Sequence, residues 1–152
     1  MLQKIATNRP HQKIIFVFVI CQVVLALLAL LNDMIINTLG GGGIDEFKSF
    51  QEKIMLVLFV APVFETLVFN LFLNEVFFRY IKNVYVCIVL SSLLFGLIHY
   101  YSFTYVLTTF LAGLVLNWFY FWVRHKKDML IATLCVLLLH FNHNLMGILL
   151  GK

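Results

Sequence analysis

The chain has 152 residues, of which 62% are hydrophobic and only 12% charged, and its mean hydropathy is +0.99. Soluble domains carry about 25% charged residues. A water-surrounded globule is therefore excluded, because too few polar side chains exist to cover the apolar bulk; a lipid bilayer must cover it. The formal net charge of +4 forms no basic stripe, so no nucleic-acid partner is expected.

Five apolar runs predict an all-α fold, a polytopic transmembrane helical bundle of about five spans, in one membrane domain covering residues 1–152. The first span, about 14–36, follows Lys4, Arg9 and Lys13. It is expected to persist as an N-terminal anchor, since no clear small-x-small cleavage site follows it before the glycines. The longest connection, 37–53, contains Gly40–Gly43, then Asp45, Glu46 and Glu52. The second span, about 54–73, carries Pro62 and Glu65. Pro62 lacks an amide hydrogen, so the carbonyl of Leu58 is expected to be freed and the helix to open just before Glu65. The third span, about 84–101, ends with His99; the fourth covers about 103–123; the fifth, about 129–150, holds His140, His143 and Asn144. Runs of roughly 18–23 residues match about 30 Å of hydrocarbon at 1.5 Å per residue. Lipid offers the backbone no partners, so each run must be helical. Cys21, Cys87 and Cys135 form no CxxC pair and read as small buried hydrophobes.

Lysine and arginine placement sets the expected orientation. With the N-terminus inside, the inner segments hold Lys4, Arg9, Lys13, Arg79, Lys82, Arg124, Lys126 and Lys127, against Lys48, Lys53 and Lys152 outside. This bias predicts a cytoplasmic N-terminus and an external C-terminus, in what is expected to be a bacterial plasma membrane.

Four polar residues lie deep within apolar runs: Glu65, His99, His140 and Asn144. A charge at bilayer depth costs about 2.5–3.5 kcal/mol on insertion scales, so such residues signal function. Counting 1.5 Å per residue, Glu65 lies about 16 Å from the outer end of its span and His140 about 16 Å from the inner end of its own; His99 and Asn144 lie about 22 Å from the inner ends. All four fall between the midplane and the outer third. His140 and Asn144 are four residues apart and share a helix face, which presents two donors to one small volume, as an oxyanion requires. A carboxylate beside an imidazole supplies the means to activate a water.

The residues around these positions carry a family resemblance. Ala61-Pro62-Val63-Phe64-Glu65-Thr66-Leu67-Val68-Phe69-Asn70 resembles the first motif of the CPBP family, the CAAX prenyl-protease and bacteriocin-processing (Abi) membrane proteins, which usually reads Pro-x-x-Glu-Glu-x-x-x-Arg. The run from Ser91 to His99 resembles the second, Phe-x-x-x-His, and His140 to Asn144 resembles the third, His-x-x-x-Asn. Each motif is weak alone; the ordered set of three, over about 54–150, is specific. The resemblance implies an intramembrane glutamic-type endopeptidase cleaving a peptide in or near the bilayer. Carried over by position, Glu65 and His99 activate the water, and His140 with Asn144 forms the oxyanion hole. This chain departs from the motif at two positions: Thr66 stands for the second Glu and Asn70 for the Arg. Their joint loss reads as removal of a buried ion pair, which can be energetically neutral.

Other readings compete. Glu75 and Arg79 offer a rival Glu-x-x-x-Arg alignment, but that places the carboxylate at the cytoplasmic edge, away from the depth of His99. They read instead as an i,i+4 interfacial ion pair. Glu65, His99 and His140 are a conceivable zinc set, yet no His-Glu-x-x-His lies on one helix, and a site with no metal and no cofactor is expected. His143 reads as a packing neighbour, Gly113 as a close helix contact, Asn117 as an interhelical hydrogen bond, and Trp118, Tyr120 and Trp122 as an interfacial belt. The main alternative to a protease is a catalytically inactive membrane binding or immunity protein on the same scaffold; a proton conduit through Glu65 and the histidines is a third.

Overall fold

The computed structural model describes residues 10–39, 47 and 49–150. The expectations resting on Lys4, Arg9, the Gly40–Gly43 run, Asp45, Glu46, Lys48 and Lys152 lie outside the described residues. Those residues form five helices and no strand: α1 Pro10–Leu39, α2 Phe50–Ile81, α3 Val84–Leu97, α4 Phe103–Lys126 and α5 Met129–Leu150. Four of them, all but α3, are long and apolar enough to cross a membrane. The all-α bundle is thus as the apolar runs predict.

Short polar residues set most of the helix starts. Ser49 accepts from the Glu52 amide, Asn83 from the Tyr85 and Val86 amides, Ser102 from Tyr105, and Asp128 from Ile131. Each satisfies amides that a first helical turn leaves unpaired. Lys82, with φ at 58°, takes the left-handed conformation that closes α2 and turns the chain into α3.

α4 is the central helix, packed against all four others and the most buried of the long ones. Its Leu116, Phe119, Tyr120 and Val123 meet Cys21 and Leu25 of α1, Cys87 and Ile88 of α3, and Val136 and Leu139 of α5 in one core cluster. The thiols of Cys21 and Cys87 are buried and that of Cys135 half-buried, all unpaired. Outward residues such as Phe16, Leu27, Phe64, Leu93 and Leu134 are apolar and exposed. In a membrane that surface contacts lipid.

Gly96 and Gly113 let α3 and α4 approach closely. A Cβ on Gly113 would stand 3.1 Å from the Phe95 ring and 3.2 Å from the Ser92 Cα; one on Gly96 would stand 2.9 Å from the Val106 carbonyl oxygen. Gly113 is the close contact expected of it. Asn117 also bonds between helices, accepting from Asn70 and Asn74 of α2 and donating to Ser92 of α3.

Three details differ from the sequence expectation. First, α2 runs eight residues beyond Leu73, so Glu75 and Arg79 lie on its final turns. Glu75 does not pair with Arg79: its carboxylate takes Arg124 and the Tyr120 hydroxyl, both from α4. The expected i,i+4 interfacial pair yields to a cross-helix pair that also satisfies a buried phenol. Second, Tyr120 consequently belongs to the core and not to the interfacial belt. Third, α3 stops at Leu97 and not at Tyr101. Apolarity marks what is buried in lipid, but the end of a helix is set by where the backbone hydrogen bonds go.

Candidate active site

Where α3 ends, His99 caps it. The His99 amide donates to the Gly96 carbonyl in a tightened turn and so abandons Phe95, its partner in α-helical register. The freed Phe95 carbonyl accepts from Nδ1 of the His99 ring at 2.7 Å. A carbonyl only accepts, so Nδ1 carries the hydrogen. The Nε2 edge then faces the carboxylate of Glu65, 3.7 Å from Oε1.

Glu65 stands between two unusual stretches of α2. The backbone is π-helical over Met55–Val60 and again over Thr66–Phe72, with a short α-helical segment, Ala61–Glu65, between them. Such bulges are rare and concentrate at functional sites. The second carboxylate oxygen of Glu65 lies 3.4 Å from Nε2 of His140 on α5. Nδ1 of that ring is 3.3 Å from the hydroxyl of Thr66, the residue after Glu65. One carboxylate is therefore flanked by two imidazoles, one from α5 and one from the turn that ends α3. The side chains of Glu65 and His99 keep about one-seventh of their surface accessible, while His140 is almost wholly enclosed. Phe95 packs its ring against both imidazoles, at 4.8 and 5.8 Å between centroids, and Tyr105 closes on His99 from α4 at 5.6 Å.

Asn144 is placed differently. Its Nδ2 donates to the Val57 carbonyl at 2.9 Å. The reason lies in the π register. Ala61 donates to Leu56, five residues back, so the next donor in that register would be Pro62, to Val57. Proline has no hydrogen to give. The carbonyl that Pro62 frees is thus that of Val57, not that of Leu58 as α-helical spacing predicts, and a side chain from α5 satisfies it. Of the four residues singled out by depth, the fold gathers Glu65, His99 and His140 around one point. It draws Asn144 to the α2 backbone beside them.

Sequence reasoning passed over several contributors. Thr66 and Asn70, read only as departures from a motif, are both fully buried and bonded, to His140 and Asn117 respectively. Asn70 and Asn74 are four apart on one face of α2 and join Asn117 and Ser92 in a buried polar cluster. The signal that marks Glu65, a polar side chain within an apolar run, marks these amides too. His143 lies against α1, at the Leu25 backbone. Among the described residues, no group of three or more His, Cys, Asp or Glu side chains has an arrangement that could hold a metal ion.

In a comparison with protein families, residues 52–146 match the family described as Type II CAAX prenyl endopeptidase Rce1-like. The match covers more than half of the chain and contains all four candidate residues, and the chain belongs to this family. It is an integral membrane protein of a protease family whose members act on peptides at the bilayer. No curated protein and no solved structure matches it.

Proposed function

We propose that this chain is an active intramembrane endopeptidase in which Glu65 and His99 activate a water and His140 stabilises the oxyanion. The observation that carries this reading is the position of a single carboxylate between two imidazoles, 3.7 and 3.4 Å away. With Nδ1 of His99 donating to Phe95, the neutral ring turns a lone pair toward Glu65, itself an acceptor. Two facing acceptors beyond direct bonding distance call for a shared donor, and a water has two hydrogens to give. Loss of one proton to this pair leaves a hydroxide-like nucleophile in a site from which bulk water is largely excluded.

His140 takes the complementary role. If the Thr66 hydroxyl donates to Nδ1, the hydrogen of neutral His140 resides on Nε2, aimed at the same centre. A substrate carbonyl there receives this donor as its oxygen becomes negative. Asn144 uses one hydrogen of its amide on Val57 and retains a second, which completes the oxyanion hole. The substrate is a peptide or protein segment in or near the bilayer. The mechanism uses no metal and no cofactor, so cleavage is expected to survive chelators; loss of activity on chelation, restored by zinc, would support the zinc alternative at Glu65, His99 and His140.

The test is cleavage of a fluorogenic membrane peptide by the full chain in liposomes. Glu65→Gln and His99→Ala are each expected to reduce turnover by about a hundredfold or more, the usual scale of general acid–base catalysis. Specific peptide binding that survives both changes, with no cleavage by the unaltered chain, would instead establish a non-catalytic binding protein.

A further inference from the structure

At the opposite end of the bundle from His99, a cavity of about 430 Å³ opens between α3 and α4. Ile88, Trp118, Phe121 and Trp122 form its apolar wall, and His125 and Lys126 its polar rim. We infer that it binds an anionic phospholipid, with the phosphate at His125 and Lys126 and an acyl chain along Trp118 and Ile88.

Charge and position support this occupant. The chain here carries Arg79, Lys82, Arg124, Lys126 and Lys127 against Glu75 and Asp128. Glu75 is taken by Arg124, so this acid is already neutralised. The ammonium of Lys126 sits over the Trp122 ring at 4.7 Å, and that of Lys82 over Phe78, another lining residue, at 5.8 Å. Both are cations on the faces of lining aromatic rings, where a phosphate can reach them. Clustered cations between helix ends at a membrane surface are the general chemistry of anionic headgroup recognition. The wall distinguishes a lipid from a soluble anion. Trp118 and Tyr85 are 42% and 77% exposed, so the cavity is continuous with the lipid-facing surface of α3 and α4. A free phosphate has no use for that apolar face, whereas an acyl chain fills it.

The chain's two tryptophans are Trp118 and Trp122, both in this wall, so intrinsic fluorescence reads the cavity directly. The full chain is placed in phosphatidylcholine nanodiscs containing small fractions of brominated phosphatidylglycerol or brominated phosphatidylcholine. The anionic lipid is expected to quench at clearly lower mole fraction. Lys126→Gln is expected to weaken that preference by about fivefold, the usual effect of one basic contact, and Lys82→Gln with Lys126→Gln to abolish it. Lys53→Gln, near the other end of α2, leaves it unchanged. Equal quenching by both brominated lipids in the unaltered chain overturns the proposal, as does a preference that survives the double substitution. Neither readout depends on proteolysis.

Discussion

Thr66 shows how a single hydroxyl can set the polarity of a neighbouring imidazole. It is fully buried, next to Glu65 in sequence and bonded to the far side of His140. A neutral imidazole has one donor and one acceptor nitrogen, and the partner of one decides the role of the other. Thr66→Val keeps the shape and removes the hydroxyl. Turnover is expected to fall about tenfold, the equivalent of one hydrogen bond of about 1.4 kcal/mol, and Thr66→Ser to recover most of it. An unchanged turnover in purified Thr66→Val would remove Thr66 from the mechanism. At this scale the site was partly legible. Glu65, His99 and His140 stand out because ionisable groups are rare within apolar runs. Thr66 does not, because a hydroxyl in a membrane helix can bond its own backbone and leave no mark in the sequence. Thr109 and Thr133 do just that, each donating to a carbonyl four residues back.

Helix α2 is where proline, backbone register and a neighbouring helix interlock. The π-helical turn before Pro62 displaces the orphaned carbonyl to Val57, and Asn144 answers it from α5. Pro62→Ala returns a donor to that register. A double-mutant cycle should therefore show coupling: Asn144→Ala destabilises the chain, and destabilises it less when Pro62→Ala is present, by about 0.6–1.7 kcal/mol in thermal or chemical unfolding. Activity separates this structural duty of Asn144 from the proposed oxyanion one. If its second hydrogen serves the oxyanion, turnover stays low in the double variant although stability recovers. Additive stability effects would sink the structural half of this account. None of the register shift could be read from the chain, since a proline announces a missing hydrogen but not which carbonyl loses it. The overshoot of the third span has the same origin: Ile98, Tyr100 and Tyr101 are apolar enough to extend a span, yet His99 diverts its amide and ends the helix.

For the molecule as a whole, the number and order of helices were legible because lipid demands long apolar segments with internal hydrogen bonding. The central place of α4 was not, since its apolar character resembles that of its neighbours and only packing distinguishes it. The basic end of the bundle predicts orientation: the turn between α4 and α5 faces the cytoplasm. A cysteine at that turn, Asp128→Cys, should react with an impermeant maleimide in inverted vesicles and not in right-side-out ones; the buried or half-buried native thiols contribute little background. The opposite pattern would reverse the topology. Helix α3 carries a further consequence. Its 14 residues reach about 21 Å, some 9 Å short of a typical hydrocarbon layer. Lipids beside it must dimple inward or leave its far tip, with His99, submerged. Membrane thickness thereby becomes a setting on the proposed site: thin sheets bring the aqueous boundary to His99, and thick ones withdraw it.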